Sequence, residues 1–139
     1  MSNANYKQLL KFKEQIEKLQ EHEIDTFKRN ATNEMGQRFY AKVVKRTPVG
    51  QYPAGSGKVG GTLRRGWRIG QVKKITNGYE VQISNNVFYA SYVNYGHRTR
   101  NGGWWTGYFY KEKSELELES EMPKLLERKL VKFLQDKMK

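Results

Sequence analysis

The sequence predicts one α+β domain, and three features of it do so. Apolar residues recur at helical spacing through the first third, short alternating runs set off by Asn-Gly and Asn-Asn turns fill the middle, and a second helical stripe closes the chain. A chain of 139 residues has room for one modest core. The whole of 1–139 therefore reads as a single domain: a long helix over 1–47, a β-sheet region over 62–95 and a C-terminal helix over 112–138. With 29% of its residues charged, such a domain gains stability from partners.

The first helix rests on Phe12, Ile16, Leu19, Ile24, Phe27, Ala31, Met35, Phe39 and Val43, spaced for one helical face. No proline interrupts it, and Gly36 costs only about 1 kcal/mol relative to Ala. The stripe is narrow for its length, so the helix should lie across a sheet or beside a neighbouring subunit. Sustained heptads are missing and strands follow, which favours the domain's own sheet over a coiled-coil seam. Thr47-Pro48 ends the helix, because proline disfavours helical geometry at the preceding residue.

Residues 49–61 form a glycine-rich loop without the Walker pattern, and they follow a helix where a phosphate-binding loop would follow a strand. A structural or docking loop is the expectation. Leu63–Ile69 reads as a strand, then Gln71–Thr76 and Tyr79–Ser84 as a hairpin about Asn77-Gly78. Tyr79, Val81 and Ile83 alternate with Glu80, Gln82 and Ser84, so one face is buried. The run Val87–Tyr95 fits a strand start or a short helical turn, and the pattern does not choose. Residues 96–107 read as a second loop, basic and aromatic. In the last helix, Leu116, Met122, Leu125, Leu126, Leu130, Phe133 and Leu134 form the stripe, and Pro123 should kink it or mark its true start.

The chain has no cysteine, which removes disulfides, thiolate metal sites and cysteine nucleophiles together. Met1–Tyr6 lacks a basic stretch followed by an apolar run, so no secretory signal is expected, and no apolar window reaches the length of a membrane span. The net charge of +12 is unevenly placed. Residues 51–110 carry eight Lys/Arg against Glu80 alone. That field suits a polyanion and an acidic protein partner equally well.

Catalytic material is scarce. His22 lies between Glu21 and Glu23 on the polar side of the first helix, and His97 has only Arg98 and Arg100 near it. With no acid between residues 81 and 111, no local His-carboxylate metal set can be assembled. The expectation is a protein that is not an enzyme and uses no cofactor or metal. The sharper signal is aromatic-basic. Arg64, Arg65, Arg68, Lys73 and Lys74 surround Trp67, and Arg98 and Arg100 precede Trp104 and Trp105. Basic grooves with stacking aromatics bind single-stranded nucleic acid, but Trp, Tyr and Arg are also the residues enriched at protein interfaces. We favour the interface reading. Trp67, Tyr89 and Tyr92 are then core or inter-subunit anchors, and Arg98, Arg100, Trp104 and Trp105 a partner-facing loop.

Three segments in order carry a resemblance: Arg46-Thr47-Pro48-Val49, then Gly60-Gly61-Thr62-Leu63-Arg64-Arg65-Gly66-Trp67, then Asn85-Asn86 through Tyr89-Ala90-Ser91-Tyr92-Val93-Asn94-Tyr95-Gly96-His97. This order resembles the tail-completion or neck family of long-tailed bacteriophages, the head–tail joining tail components, across roughly residues 20 to 135. Two departures stand out. The Gly50-to-Gly61 stretch is longer than the family's usual Asp-Thr-Gly, and Asn94 replaces the acidic residue common before the Tyr-Gly step. The resemblance implies helices packed on a small antiparallel sheet and a place in a ring-like connector, a hexameric homo-oligomer at the virion's head–tail junction, after assembly in the host cytoplasm. Its partners would be phage connector and tail-tube or tail-terminator proteins, with non-specific contact to packaged DNA and none to a membrane. The alternative is a basic nucleic-acid-binding accessory protein.

Overall fold

A computed structural model describes residues 3–17, 21–50, 55–57 and 60–137. In chain order the elements are α1 (Asn3–Glu17), α2 (Glu21–Arg46), α3 (Thr62–Arg65), β1 (Trp67–Ile69), β2 (Lys73–Ile75), β3 (Gly78–Glu80), β4 (Ile83–Asn85), α4 (Ala90–Tyr95), β5 (Gly96–Arg98), β6 (Trp104–Thr106) and α5 (Tyr110–Lys137). The α+β class holds, with N- and C-terminal helices around small antiparallel sheets. The expected helix over 1–47 is described as α1 and α2. Residues 18–20, including Leu19, and the side chain of Ile16 lie outside the described residues, as do 51–54 and 58–59 of the glycine-rich loop.

Within α2 the stripe holds from Phe27 on, with Ala31, Met35 and Val43 buried and Phe27 and Phe39 half-buried, whereas Ile24 of α2 and Phe12 of α1, expected on the same face, are exposed. Helices α2 and α5 run antiparallel. Phe27 meets Phe133 at 4.7 Å between ring centroids, Glu34 pairs with Lys129 at 2.7 Å, and Lys42 bridges Glu117 and Glu121 at 2.7 and 3.0 Å. Arg46 closes the series on Glu117.

The α5 stripe differs from the expected one. Leu118 is buried, whereas Leu116 and Leu130 are exposed. Two residues along a helix turn the side chain through about 200°, so Leu116 and Leu118 cannot share a face. Pro123 marks neither end, because α5 runs unbroken from Tyr110 to Lys137. Pro123 and Glu119 are both exposed, so water can satisfy the carbonyl that proline leaves without its helical partner.

Strands β1 to β4 make one bulged ribbon. Ile69 pairs with Ile83 and Lys73 with Glu80, which leaves three residues (70–72) on one strand opposite two (81–82) on the other. The turn residues are Thr76 and Asn77, one position earlier than expected. Gly78 already pairs with Ile75, at φ +153°. The alternation holds, with Tyr79, Val81 and Ile83 half-buried and Glu80, Gln82 and Ser84 exposed. Gly36 explains why α2 can lie on this ribbon: a Cβ there would sit 2.6 Å from Val81 Cγ1. Its cost in helix propensity thus accompanies a close helix–strand approach.

Two middle segments depart from the sequence reading, and a third settles what it left open. Residues 62–65 form a helical turn instead of the start of a strand. Strand alternation would have put Arg65 on the same face as Leu63 and Trp67, whereas the turn buries Leu63 and Trp67 and leaves Arg65 exposed. The undecided run resolves as α4. Residues 96–107, read as a loop, contain the β5–β6 hairpin. The core is Val43, Leu63, Trp67 and Tyr110, with Phe39, Tyr40, Val44, Ile83, Val87, Tyr89, Ala90 and Val93 packed against it. Helix α4 and the hairpin stand on this core.

Candidate interaction site

The two aromatic-basic groups of the sequence have opposite fates. At the end of α2 the last carbonyls lack helical partners, and Arg64 supplies them. Its guanidinium donates to the Thr47 carbonyl at 2.6 and 3.1 Å and to the Lys45 carbonyl at 3.2 Å. Trp67, 5% exposed, donates its indole N–H to Thr47 Oγ1 at 2.7 Å, and the same hydroxyl donates to the Val43 carbonyl. Trp67 also meets Tyr110 edge-on at 5.9 Å. The Tyr110 hydroxyl donates to the Ala90 carbonyl at 2.7 Å, and burial, then the charge of Glu112, pushes its pKa up to about 12. Arg65 donates to the Gly60 carbonyl at 3.0 Å, and Arg68 to the carbonyls of Arg65 and Trp67 at 2.6 and 2.9 Å. Of the residues expected at an interface, Trp67 is therefore a core anchor and Arg64 a helix-end clasp. Tyr89, half-buried, packs on the core. Lys74 lies apart, paired with Asp25 of α2 at 3.5 Å.

The second group is presented outward. In the hairpin, His97 faces Trp105 and Arg98 faces Trp104 across the strands. His97 stacks on Trp105 at 5.2 Å and lies 6.1 Å from the Tyr92 ring, while Trp105 packs on Tyr108 at 5.5 Å. Trp104 is 62% exposed, and Arg98 and Arg100 are exposed beside it. Phe88, 88% exposed, leans edge-on against Tyr89. A cleft of about 390 Å³ separates Trp105 and Tyr108 from Pro48, Val49 and Leu63, with Tyr89 and Val93 among its walls.

This face is rigidly mounted. Gly96 opens β5 at φ +94°, and a Cβ there would lie 2.2 Å from the Trp105 carbonyl oxygen, so only glycine lets the two strands close. Asn94, 3% exposed, joins α4 to the start of α5. Its amide donates to both oxygens of Glu112 at 2.9 and 3.2 Å, and its side-chain oxygen accepts from the Lys111 N–H at 3.1 Å. Burial pushes the Glu112 carboxyl up, but the hydrogen bonds from Asn94 and the backbone outweigh it and hold the group below its usual range. An acid at position 94 would face this carboxylate, which gives the sequence's departure there a physical reason.

The sequence reading overlooked Phe88, Tyr95, Tyr108 and Phe109 as exposed members of this face. It also missed the hairpin, although Asn101-Gly102 is the same turn signal as Asn77-Gly78, with Gly102 at φ +81°. Among the described residues, no group of three His, Asp or Glu side chains could hold a metal ion, and no helix is long and apolar enough to cross a membrane.

Comparison with curated proteins and with solved structures gives no significant match. A family model does match, over residues 11–96, from within α1 to the first residue of β5. The matched stretch is narrower than the span the motif order implied, and it stops before most of the hairpin and all of α5. Its description is "Bacteriophage HK97-gp10, putative tail-component". Because the match covers more than half of the chain, this protein belongs to the HK97-gp10-like family of bacteriophage tail components.

Proposed function

We propose that the chain is a non-enzymatic structural protein of the virion that completes the tail at the head–tail junction. In this reading, copies form a ring, six-fold on the family pattern, and the α4–β5–β6 face docks neighbouring connector, tail-tube or tail-terminator proteins. The observation that carries it is the outward presentation of Tyr92 on α4 and of Arg98, Arg100 and Trp104 on the hairpin that follows it, with α4 joined to α5 by Asn94 and the strands closed at Gly96. Aromatic side chains lose little conformational entropy on binding, and with arginine they are enriched at the energetic centre of interfaces. No bond is made or broken, and adaptor binding is the whole mechanism.

Contact with packaged DNA is a secondary part of this reading. Arg98 and Arg100 could meet phosphates by charge without reading bases. The first arginine group supports protein docking over nucleic-acid binding, because Arg64, Arg65 and Arg68 already donate to backbone carbonyls.

An early stop codon in this gene, followed by electron microscopy of the lysate, tests the proposal. Filled heads and separate tails that fail to join are expected, with rescue by the wild-type gene. Normal virions would remove the junction role and bring forward the nucleic-acid reading, which in turn requires salt-sensitive DNA binding.

A further inference from the structure

Helix α1 and an open groove elsewhere on the chain match in length, and the lysine flank of the helix is opposite in charge to Glu80 on one rim. Tyr6, Leu9 and Leu10 of α1 follow i, i+3, i+4 spacing and are 41–57% exposed, with Lys7 and Lys11 beside them. The groove, of about 890 Å³, lies between the ribbon and α5 over α2. Met35 and Phe39 form its floor, Val81 and Ile83 one wall, Leu118 and Met122 the other. Glu80 stands on the ribbon rim and Glu115, one turn from Lys111, on the α5 rim, and neither carboxylate forms an ion pair among the described residues. The α5 wall from Lys111 to Leu126 and the helix α1 each span about 22 Å.

We infer that α1 of one copy seats in this groove of the next copy, its apolar side chains against Phe39, Val81 and Met122 and Lys7 and Lys11, which share one flank of the helix, toward Glu80 on the ribbon rim. The inference rests on the ring reading above and supplies its contact. A helix on one surface entering a groove on another is a head-to-tail interaction, the kind that closes into a ring. Within one chain the structure leaves both surfaces open: the described α1 side chains, residues 5–14, are exposed, and the groove between the ribbon and α5 is open. Burial of Leu9 and Leu10 provides the driving force, and the pairing of the lysine flank with Glu80 sets which way the helix faces.

The absence of cysteine allows a direct test on the full chain. Leu10→Cys and Glu115→Cys proteins are prepared separately, mixed and treated with a short bismaleimide cross-linker. A covalent heterodimer in the mixture, well above the homodimer formed by either protein alone, is the expected result. In sedimentation velocity, Leu9→Lys/Leu10→Lys should weaken self-association at least about a hundred-fold, since two leucine burials are lost. Both positions are exposed, so this variant should remain folded, which circular dichroism checks.

Absence of a heterodimer overturns the inference. So does a doubly substituted chain that cross-links within itself at high dilution, because α1 would then occupy its own groove. The outcomes separate from those of the junction role. If Leu9→Lys/Leu10→Lys phage still assemble while the stop-codon phage do not, the tail role stands and the α1 contact falls.

Discussion

Trp67 and Trp104 occupy similar sequence surroundings, each with arginines nearby, yet one is 5% and the other 62% exposed. The difference lies in what each segment meets. Arg64 and Trp67 meet the carboxyl end of α2, where the Thr47 and Lys45 carbonyls and the Thr47 hydroxyl take up their N–H groups. The β5–β6 hairpin adjoins the end of α4, but there the Tyr108 and Phe109 N–H groups already take the Val93 and Asn94 carbonyls, and Arg98, Arg100 and Trp104 remain exposed. An aromatic-basic run is thus a structural clasp where unpaired carbonyls are within reach and an exposed surface where they are not.

The largest effect separating the two regions is expected from Trp67→Ala, which removes a buried ring and the indole bond to Thr47. It should cost about 3–5 kcal/mol in denaturant unfolding. A loss under about 1 kcal/mol would show that Trp67 is not the anchor of this core. Thr47→Val keeps the shape but leaves the Trp67 N–H without its acceptor, so about 1–3 kcal/mol should be lost. An unchanged midpoint would mean that the bond to Trp67 contributes nothing net.

On the hairpin side, Asn94→Asp should destabilise the protein at neutral pH. It replaces two N–H donors to Glu112 with a like charge. The deficit relative to wild type should shrink as pH falls and one carboxyl takes up a proton. A deficit independent of pH would point to lost packing instead.

The wild-type acid limb follows the same chemistry. Asp25, Glu34, Glu112 and Glu117 all have carboxyls held below the usual range, Glu117 chiefly by Lys42 and then by Arg46. Their contribution is present above the unfolded carboxylate pKa, about 4, and is lost as pH falls through the lower folded values. Thermal midpoints measured from pH 7 to pH 3 should therefore drop below about pH 4.5, and less steeply in Glu117→Gln.

The smallest effect on stability is expected from Trp104→Ala, within about 0.5 kcal/mol of wild type. If the docking proposal holds, the same substitution, combined with Trp105→Ala, should block head–tail joining in a complementation assay. Efficient joining by that double variant would sink the hairpin's docking role while leaving family membership intact.

Much of the frame was legible because it rests on local periodicity. The step-of-four stripe from Phe27 to Val43, the stop at Thr47-Pro48 and the alternation of Tyr79, Val81 and Ile83 need only their own backbone geometry. Within the candidate site, Arg98, Arg100 and Trp104 were legible as exposed loop residues, since the glycines around them offer little to bury against. The roles of Arg64 and Trp67 were not legible, because their partners on Thr47 lie 17 and 20 residues away in sequence. Leu116 and Leu118 show a subtler limit: either could begin an apolar stripe, and only α2 selects Leu118.

By itself, then, the sequence determined the α+β class and the acid-poor basic centre, because these are properties of composition and local spacing, while the order of its motifs marked a phage tail component only by resemblance to that family. The tertiary structure alone decided which aromatics became core and which became surface. It also decided that Asn94 should clasp Glu112 and that a groove should open between the ribbon and α5. The physical reason is that burial and hydrogen-bond satisfaction depend on which distant backbone groups come within about 3 Å, and that is set only when the elements pack.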